Sequence, residues 1–242
     1  MSKDLSKIFK AHDKDEISST DPILKNTKAA QMCIIGPKRS GKSSLILSLL
    51  SSAKLYKGHF GNIFYISPST DGKMSSLIEE IDKEGKYYKE LTEGNIQKIL
   101  DYIKEEQGKQ KFKEKKLGHK LPPIYNLLVL DDCMADLPRT FKKNKITSLF
   151  MNARHYNLST MVVSQVYKGI PASIRKQTDI FYLFPVVKKE KEALMEDFDI
   201  PEAAFDHCFA DESDHPFLTV NVVSKHHPTF FRKMDRMDMK SE

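Results

Sequence analysis

Apolar positions along the chain change period repeatedly, and each change marks a strand or a helix. QMCII, from Gln31, reads as a short buried strand that meets the turn GPKRSGKS and continues as the apolar, helix-like run SLILSLL. NIFYIS, Asn62 to Ser67, is β-branched and aromatic and ends at a proline, which predicts a second buried strand. From Met74 to about Gln107 the period becomes helical. Leu77, Ile78 and Ile81 share one face there and Ile96, Ile99, Leu100 and Ile103 another, with breaks at Gly85 and Gly94. YNLLVLDD predicts a strand closing on two carboxylates, followed by a helix over about Phe141 to Ala153. LSTMVVSQ (Leu158 to Gln165) and DIFYLF (Asp179 to Phe184) predict two further strands, and FLTVNVV with TFFRKM an antiparallel hairpin at the sheet edge. Strands alternating with helices give an α/β class, an open and mostly parallel central sheet flanked by helices.

Composition narrows this picture. With 242 residues, 40% hydrophobic and 30% charged, the chain has the profile of one globular domain with tails. Residues 1–28 mix six lysines with five acids, show weak periodicity and read as a mobile arm, leaving 29–242 as a single domain. No apolar run approaches the length of about 18 residues that a membrane span needs. The N-terminus has no apolar core of a signal peptide, which gives a soluble protein without a membrane partner. Cys33, Cys133 and Cys208 are too scattered for a disulfide framework or a zinc site. The net charge of +6 is concentrated in a lysine-rich loop over about 108–121, where Lys109, Lys111, Lys113, Lys115, Lys116 and Lys120 face one acid, Glu114. Such a segment suits a polyanion crossing one surface, and equally a solvated loop.

The chemistry begins at GPKRSGKS. Gly36, Gly41, Lys42 and Ser43 satisfy G-x-x-x-x-G-K-[ST], in which backbone N–H groups converge on a phosphate and glycines keep side chains out of the way. The nucleotide-binding set is therefore Gly36, Pro37, Lys38, Arg39, Ser40, Gly41, Lys42, Ser43 and Ser44, with Lys42 on the β and γ oxygens and Ser43 on Mg²⁺. Such a site needs a carboxylate at a neighbouring strand end, and Asp131 is the second metal residue. Asp132 beside it is the general-base residue for the attacking water, the alternative being that the pair caps a turn. Gln165, at the end of an apolar strand, would sense the γ-phosphate, as in ATPases with an extra strand between loop and acid, the alternative being that it satisfies buried backbone at the strand end.

Other classes of phosphate-loop protein fit less well. The one Asn-Lys in the chain, Asn144-Lys145, continues with Ile146 and Thr147, not with the N-K-x-D that reads guanine. A nucleoside or nucleotide kinase lacks its arginine-rich lid here, and a non-hydrolysing assembly scaffold would not need the Lys42, Ser43, Asp131 and Asp132 set. Both remain as alternatives.

GPKRSGKS, LLVLDD, ARHYNLSTMVVSQ and IPASIRKQTDIFYLF together resemble the FtsK/HerA superfamily, specifically the genome-packaging ATPases of poxviruses, other large DNA viruses and virophages. The resemblance spans Gln31 to Phe184. It implies a RecA-like P-loop NTPase core of the ASCE type that hydrolyses ATP with Mg²⁺, forms a homo-oligomeric ring of five or six subunits and drives double-stranded DNA into a preformed capsid. A capsid or portal-vertex protein is the implied partner, and a viral factory in the host cytoplasm, with association to the virion, the implied location. Arg154 resembles the superfamily's arginine finger, the alternative being a helix C-terminal cap favoured by the dipole. It precedes a strand whose start, if parallel to the P-loop strand, lies about 20 Å from the nucleotide edge, so it should act on a neighbour's nucleotide. Arg39, inside the loop, is the rival finger. Arg175 resembles a family position that contacts phosphate, a surface salt bridge being the other reading. Many relatives carry Glu where Asp132 stands, which separates its role from the metal role of Asp131. DNA contact falls to the lysines between Lys109 and Lys120.

Overall fold

The computed structural model describes residues 21–25, 29–69, 72–133, 135–137, 144–210, 215–223 and 228–237. In chain order the elements are β1 (Gln31–Ile35), α1 (Lys42–Ser51), β2 (Asn62–Ile66), α2 (Ser75–Lys83), β3 (Tyr87–Tyr88), α3 (Glu93–Leu117) and β4 (Asn126–Asp131). They continue with α4 (Lys145–Asn152), β5 (Leu158–Ser164), α5 (Ala172–Arg175), β6 (Ile180–Leu183), α6 (Lys188–Phe198), α7 (Glu202–Phe209), β7 (Leu218–Asn221), β8 (Thr229–Arg232) and β9 (Asp235–Arg236).

The strands form one sheet in the order β3-β2-β4-β5-β1-β6-β7-β8-β9. β3 through β6 are parallel and the C-terminal strands antiparallel. The expected edge hairpin is β7 and β8, and β5 lies between the P-loop strand β1 and the acidic strand β4. Strand residues feed two cores by turns. Met32, Ile34, Val129 and Met161 pack with α1 and α2. Cys33, Ile35, Leu128 and Val162 pack with α3, α4, α6 and α7 on the other face. Both faces are covered, which is why the central strands read as continuous apolar runs.

Three expectations change. The lysine-rich segment is not a loop up to Gly118: α3 is 25 residues long and carries Lys109 to Lys116 within it. Thr92 caps its start by accepting from the Asn95 N–H, and Gly118, at φ 74°, ends it. Lysine is a good helix former, Lys109 pairs with Glu105 and Glu106 one turn back, and the glycines within the helix cost only about 1 kcal/mol each. Neither Gly94 nor Gly108 interrupts it. Second, the stretch expected to be helical from Met74 contains β3, reached after α2 turns off at Gly85, φ 67°. Third, the end of the expected mobile arm is docked. Leu24 is buried, its N–H donates to Tyr56 Oη at 2.9 Å, and Tyr182 Oη donates to the Pro22 carbonyl at 3.1 Å. Residues 1–20 and 26–28 of that arm, and the start of the helix expected from Phe141, lie outside the described residues.

Candidate nucleotide site

The site grows from the C-terminal ends of the parallel strands, where the crevice of an α/β sheet holds its ligand. β1 hands the chain to the loop at Gly36, whose N–H still donates to the Ser164 carbonyl of β5 at 3.1 Å. A Cβ at Gly36 would stand 2.6 Å from Cβ of Phe184 and 2.7 Å from Oγ of Ser40, so no other residue fits. Gly41, at φ 108°, turns the loop into α1, and its carbonyl accepts the Leu45 N–H at 2.9 Å. The first turn of α1 therefore directs its N–H groups and positive dipole end into the crevice.

The crevice is a cleft of about 470 Å³. Lys38, Arg39, Gly41, Lys42, Ser43 and Ser44 line it from the loop and helix, Asp131 and Asp132 from the end of β4, and Gln165 from the end of β5. Gly36, Pro37 and Ser40 complete the loop behind this lining. The Lys42 ammonium donates to the carbonyls of Gly36 at 2.7 Å and Pro37 at 2.8 Å, which fixes it across the loop mouth. Partial burial lowers its pKa below the ordinary lysine value, and the carboxylates of Asp131 and Asp132 pull it back up. Asp132 sits at φ 57° and Arg39 at φ 66°, left-handed conformations that the loop and strand end impose on them.

Two residues of the site escape sequence reasoning. Tyr65 of β2 is fully buried, and its hydroxyl donates to Asp131 Oδ2 at 2.7 Å, holding one carboxylate oxygen in place. Burial and the adjacent carboxylate push its pKa far up, so it remains a donor. His215, which leads into β7, lines the cleft from the side opposite Asp131. Both contacts join residues far apart in the chain, and no local motif announces either.

The remaining expected residues stand elsewhere. Arg154 is exposed in the turn before β5, at the opposite end of that strand from Gln165, and lines a separate cavity of about 500 Å³ with Gln31 and Asp179. The seven residues of β5 alone span about 23 Å. Arg175 also stands away from the cleft. Its guanidinium pairs with Asp197 at 3.3 Å and lies 4.4 Å from the Tyr167 ring centroid, which matches the salt-bridge reading. The lysines of α3 are remote as well, since α3 runs from the β3 end of the sheet back to the edge where β4 begins.

Comparison with known proteins decides the family. The family model of the poxvirus A32 protein matches residues 23–204. The chain belongs to the poxvirus A32 protein family. It is 29% identical over 150 residues to a protein of Acanthamoeba polyphaga mimivirus, covering 62% of this chain and 50% of that one. The chain spans about half the length of the curated relatives it matches. Among solved structures, it is similar to the DNA-packaging ATPase of Sulfolobus turreted icosahedral virus, with a TM-score of 0.57, 18% identity and coverage of 88% of this chain and 99% of that one. The genome-packaging NTPase of Sulfolobus turreted icosahedral virus 2, in complex with ATP-gammaS, gives a TM-score of 0.54 at 16% identity, covering 87% of this chain and 100% of that one. These likenesses establish the fold alone, a mostly parallel sheet flanked by helices with antiparallel C-terminal strands. Among the described residues no helix is long and apolar enough to cross a membrane.

Proposed function

We propose that this A32-family chain is the ATP-hydrolysing subunit of a ring-shaped motor that moves double-stranded viral DNA into a capsid. The observation that carries the reading is the convergence of Lys42, Ser43, Asp131, Asp132 and Gln165 on one cleft from three adjacent strand ends. A kinase or a passive scaffold has no use for a strand-end glutamine between the phosphate loop and paired carboxylates.

The donor set fits a magnesium ion. A serine hydroxyl and a carboxylate line the same cleft, both hard oxygen donors, and the bound phosphates complete such sites. Ser43 and Asp131 would hold the ion, and bound there it would neutralise phosphate charge. The chain's own residues do the rest. The α1 N-terminus and loop N–H groups cradle the phosphates, and Lys42 exchanges its loop carbonyls for β and γ oxygens. Tyr65 holds one oxygen of the Asp131 carboxylate in place. Asp132 accepts a proton from the attacking water, and Gln165 aligns that water and reports the loss of the γ-phosphate.

Arg154 faces away from its own cleft, which supports action on a neighbour's γ-phosphate, whereas Arg39 lines the cleft in its own subunit and is the alternative finger. The basic half of α3 shares the Arg154 end of the molecule. Gln107 Nε2 of α3 donates to the His155 carbonyl at 3.3 Å, so DNA contact at Lys113 with Lys116, or at Lys111 with Lys115 on another side of the helix, would lie on the finger's end of the molecule. Lys109 is held by its two glutamates and Lys120 lies past the helix end, so both are secondary contacts.

ATP turnover with and without double-stranded DNA tests the reading. DNA should stimulate the wild-type rate, and Lys42→Ala should lose at least about a hundredfold. Full turnover in Lys42→Ala would remove the site assignment, and phosphoryl transfer to a nucleoside would establish the kinase instead. A capsid or portal-vertex protein in the viral factory is the destination this function requires.

A further inference from the structure

The order of groups along the sheet edge bears on the direction in which a nucleotide would lie. From β4 to β7 the edge carries first Asp131 and Asp132, then Gln165, then the phosphate loop, then Phe184 at the end of β6, and last His215 at the entrance to β7. β7 is antiparallel to β6, so its beginning, not its end, lies on this edge. Four strand spacings of about 4.8 Å separate the β4 carboxylates from the start of β7, roughly 19 Å. A triphosphate with its γ end between Asp131 and Gln165 and its β-phosphate on the loop would run toward β6 and β7, leaving its nucleoside on that side.

His215 stands on that side. Its imidazole packs on the outer side of the loop, where a Cβ on Gly41 would lie 3.2 Å from Cγ and 3.3 Å from Nδ1. It lines the same cleft as Lys42 and Ser44 while remaining exposed, so the ring presents a face to whatever leaves the loop on that side. His215 also stands at φ 51°. Of six non-glycine residues at positive φ among those described, Arg39, Asp132 and His215 all line this one cleft, a concentration of strained backbone that marks functional sites.

We infer that His215 is the nucleoside-binding residue of the cleft, its ring packing against the base or ribose of the bound nucleotide and adding affinity that the phosphates alone do not supply. The inference rests on the nucleotide site described above.

The test compares ligands with and without a nucleoside. Equilibrium dissociation constants for ATP, ADP and inorganic tripolyphosphate are measured with magnesium for wild type, His215→Ala and Lys42→Ala. His215→Ala should weaken ATP and ADP about tenfold, the loss of one aromatic–base contact, and leave tripolyphosphate unchanged. Unchanged ATP binding in His215→Ala overturns the inference, and so does equal weakening of all three ligands, which would make the histidine a support of the loop. Lys42→Ala should weaken all three. If instead Lys42→Ala binds them as wild type does, or wild type binds neither ATP nor tripolyphosphate, the nucleotide site itself is misassigned.

Discussion

Asp131 shows how much of this site a single residue's neighbours decide. A lone carboxylate at a strand end can rotate, and each wrong rotamer turns a metal ligand away. The Tyr65 hydroxyl at 2.7 Å removes that freedom from inside the sheet. A hydrogen bond to a charged acceptor is worth about 1.5–3 kcal/mol, and Tyr65→Phe deletes it while keeping the ring that fills the α1-side core. Tyr65→Phe should therefore raise the Mg²⁺ concentration for half-maximal turnover by about tenfold, with ATP binding in the absence of metal unchanged. Metal titrations of turnover, and of nucleotide binding by fluorescence, check it, and an unchanged metal requirement would make Tyr65 a packing residue. Lys42, Ser43 and Asp131 were legible because each belongs to a local pattern with a chemical reason. Tyr65 was not, since its bond crosses 66 positions and a tyrosine in NIFYIS looks like any other core residue of a buried strand.

Elements were legible where one face is apolar and obscure where none is. β1, β4, β5 and β6 announced themselves because both sheet faces are covered, and apolar runs of that length have few other uses. The distal half of α3 did not. Its last buried residue is Ile103, so about 21 Å of helix beyond it has no apolar stripe to give a period. What orders it is polar: the Gln110 amide donates to the Pro122 carbonyl at 2.8 Å, and Glu114 accepts the Leu121 N–H at 3.0 Å, tying the returning chain to the helix. Helical order changes what the lysines can do. At about 100° per residue, Lys109, Lys113 and Lys116 fall within roughly 60° of one another, and Lys111 and Lys115 lie together on another side. A straight duplex meets one such row. Lys113→Ala with Lys116→Ala should reduce the slope of log affinity against log salt by about 1.8, two phosphate contacts, without changing DNA-independent turnover. An unaltered slope would move DNA contact off this row of α3.

At the scale of the whole molecule, the parallel strands put the proposed functional groups at two opposite ends of the chain's sheet. One carries the phosphate loop, Asp131 and Gln165, and the other carries Arg154 and the basic part of α3. This polarity follows from the chain order of parallel strands and was readable before the structure, because a turn preceding a parallel strand cannot lie at that strand's far end. The docking of Pro22 and Leu24 on the α1 face was not readable, since a short polar-flanked segment shows no period. The proposed ring calls for head-to-tail contacts, which generate a ring when the rotation closes. If Arg154 is the finger in such a ring, it would complete the next subunit's cleft, and the two defects can be separated. Arg154→Ala subunits keep an intact cleft but donate no finger, and Lys42→Ala subunits have a dead cleft but donate one. Mixed in equal amounts, about a quarter of the junctions pair an intact cleft with an intact finger, so turnover should recover to about a quarter of wild type from two nearly inactive proteins. A finger acting within its own subunit permits no such recovery. If Arg154→Ala alone hydrolyses ATP at the wild-type rate, Arg154 is no finger, and Arg39 inside the loop becomes the residue to replace.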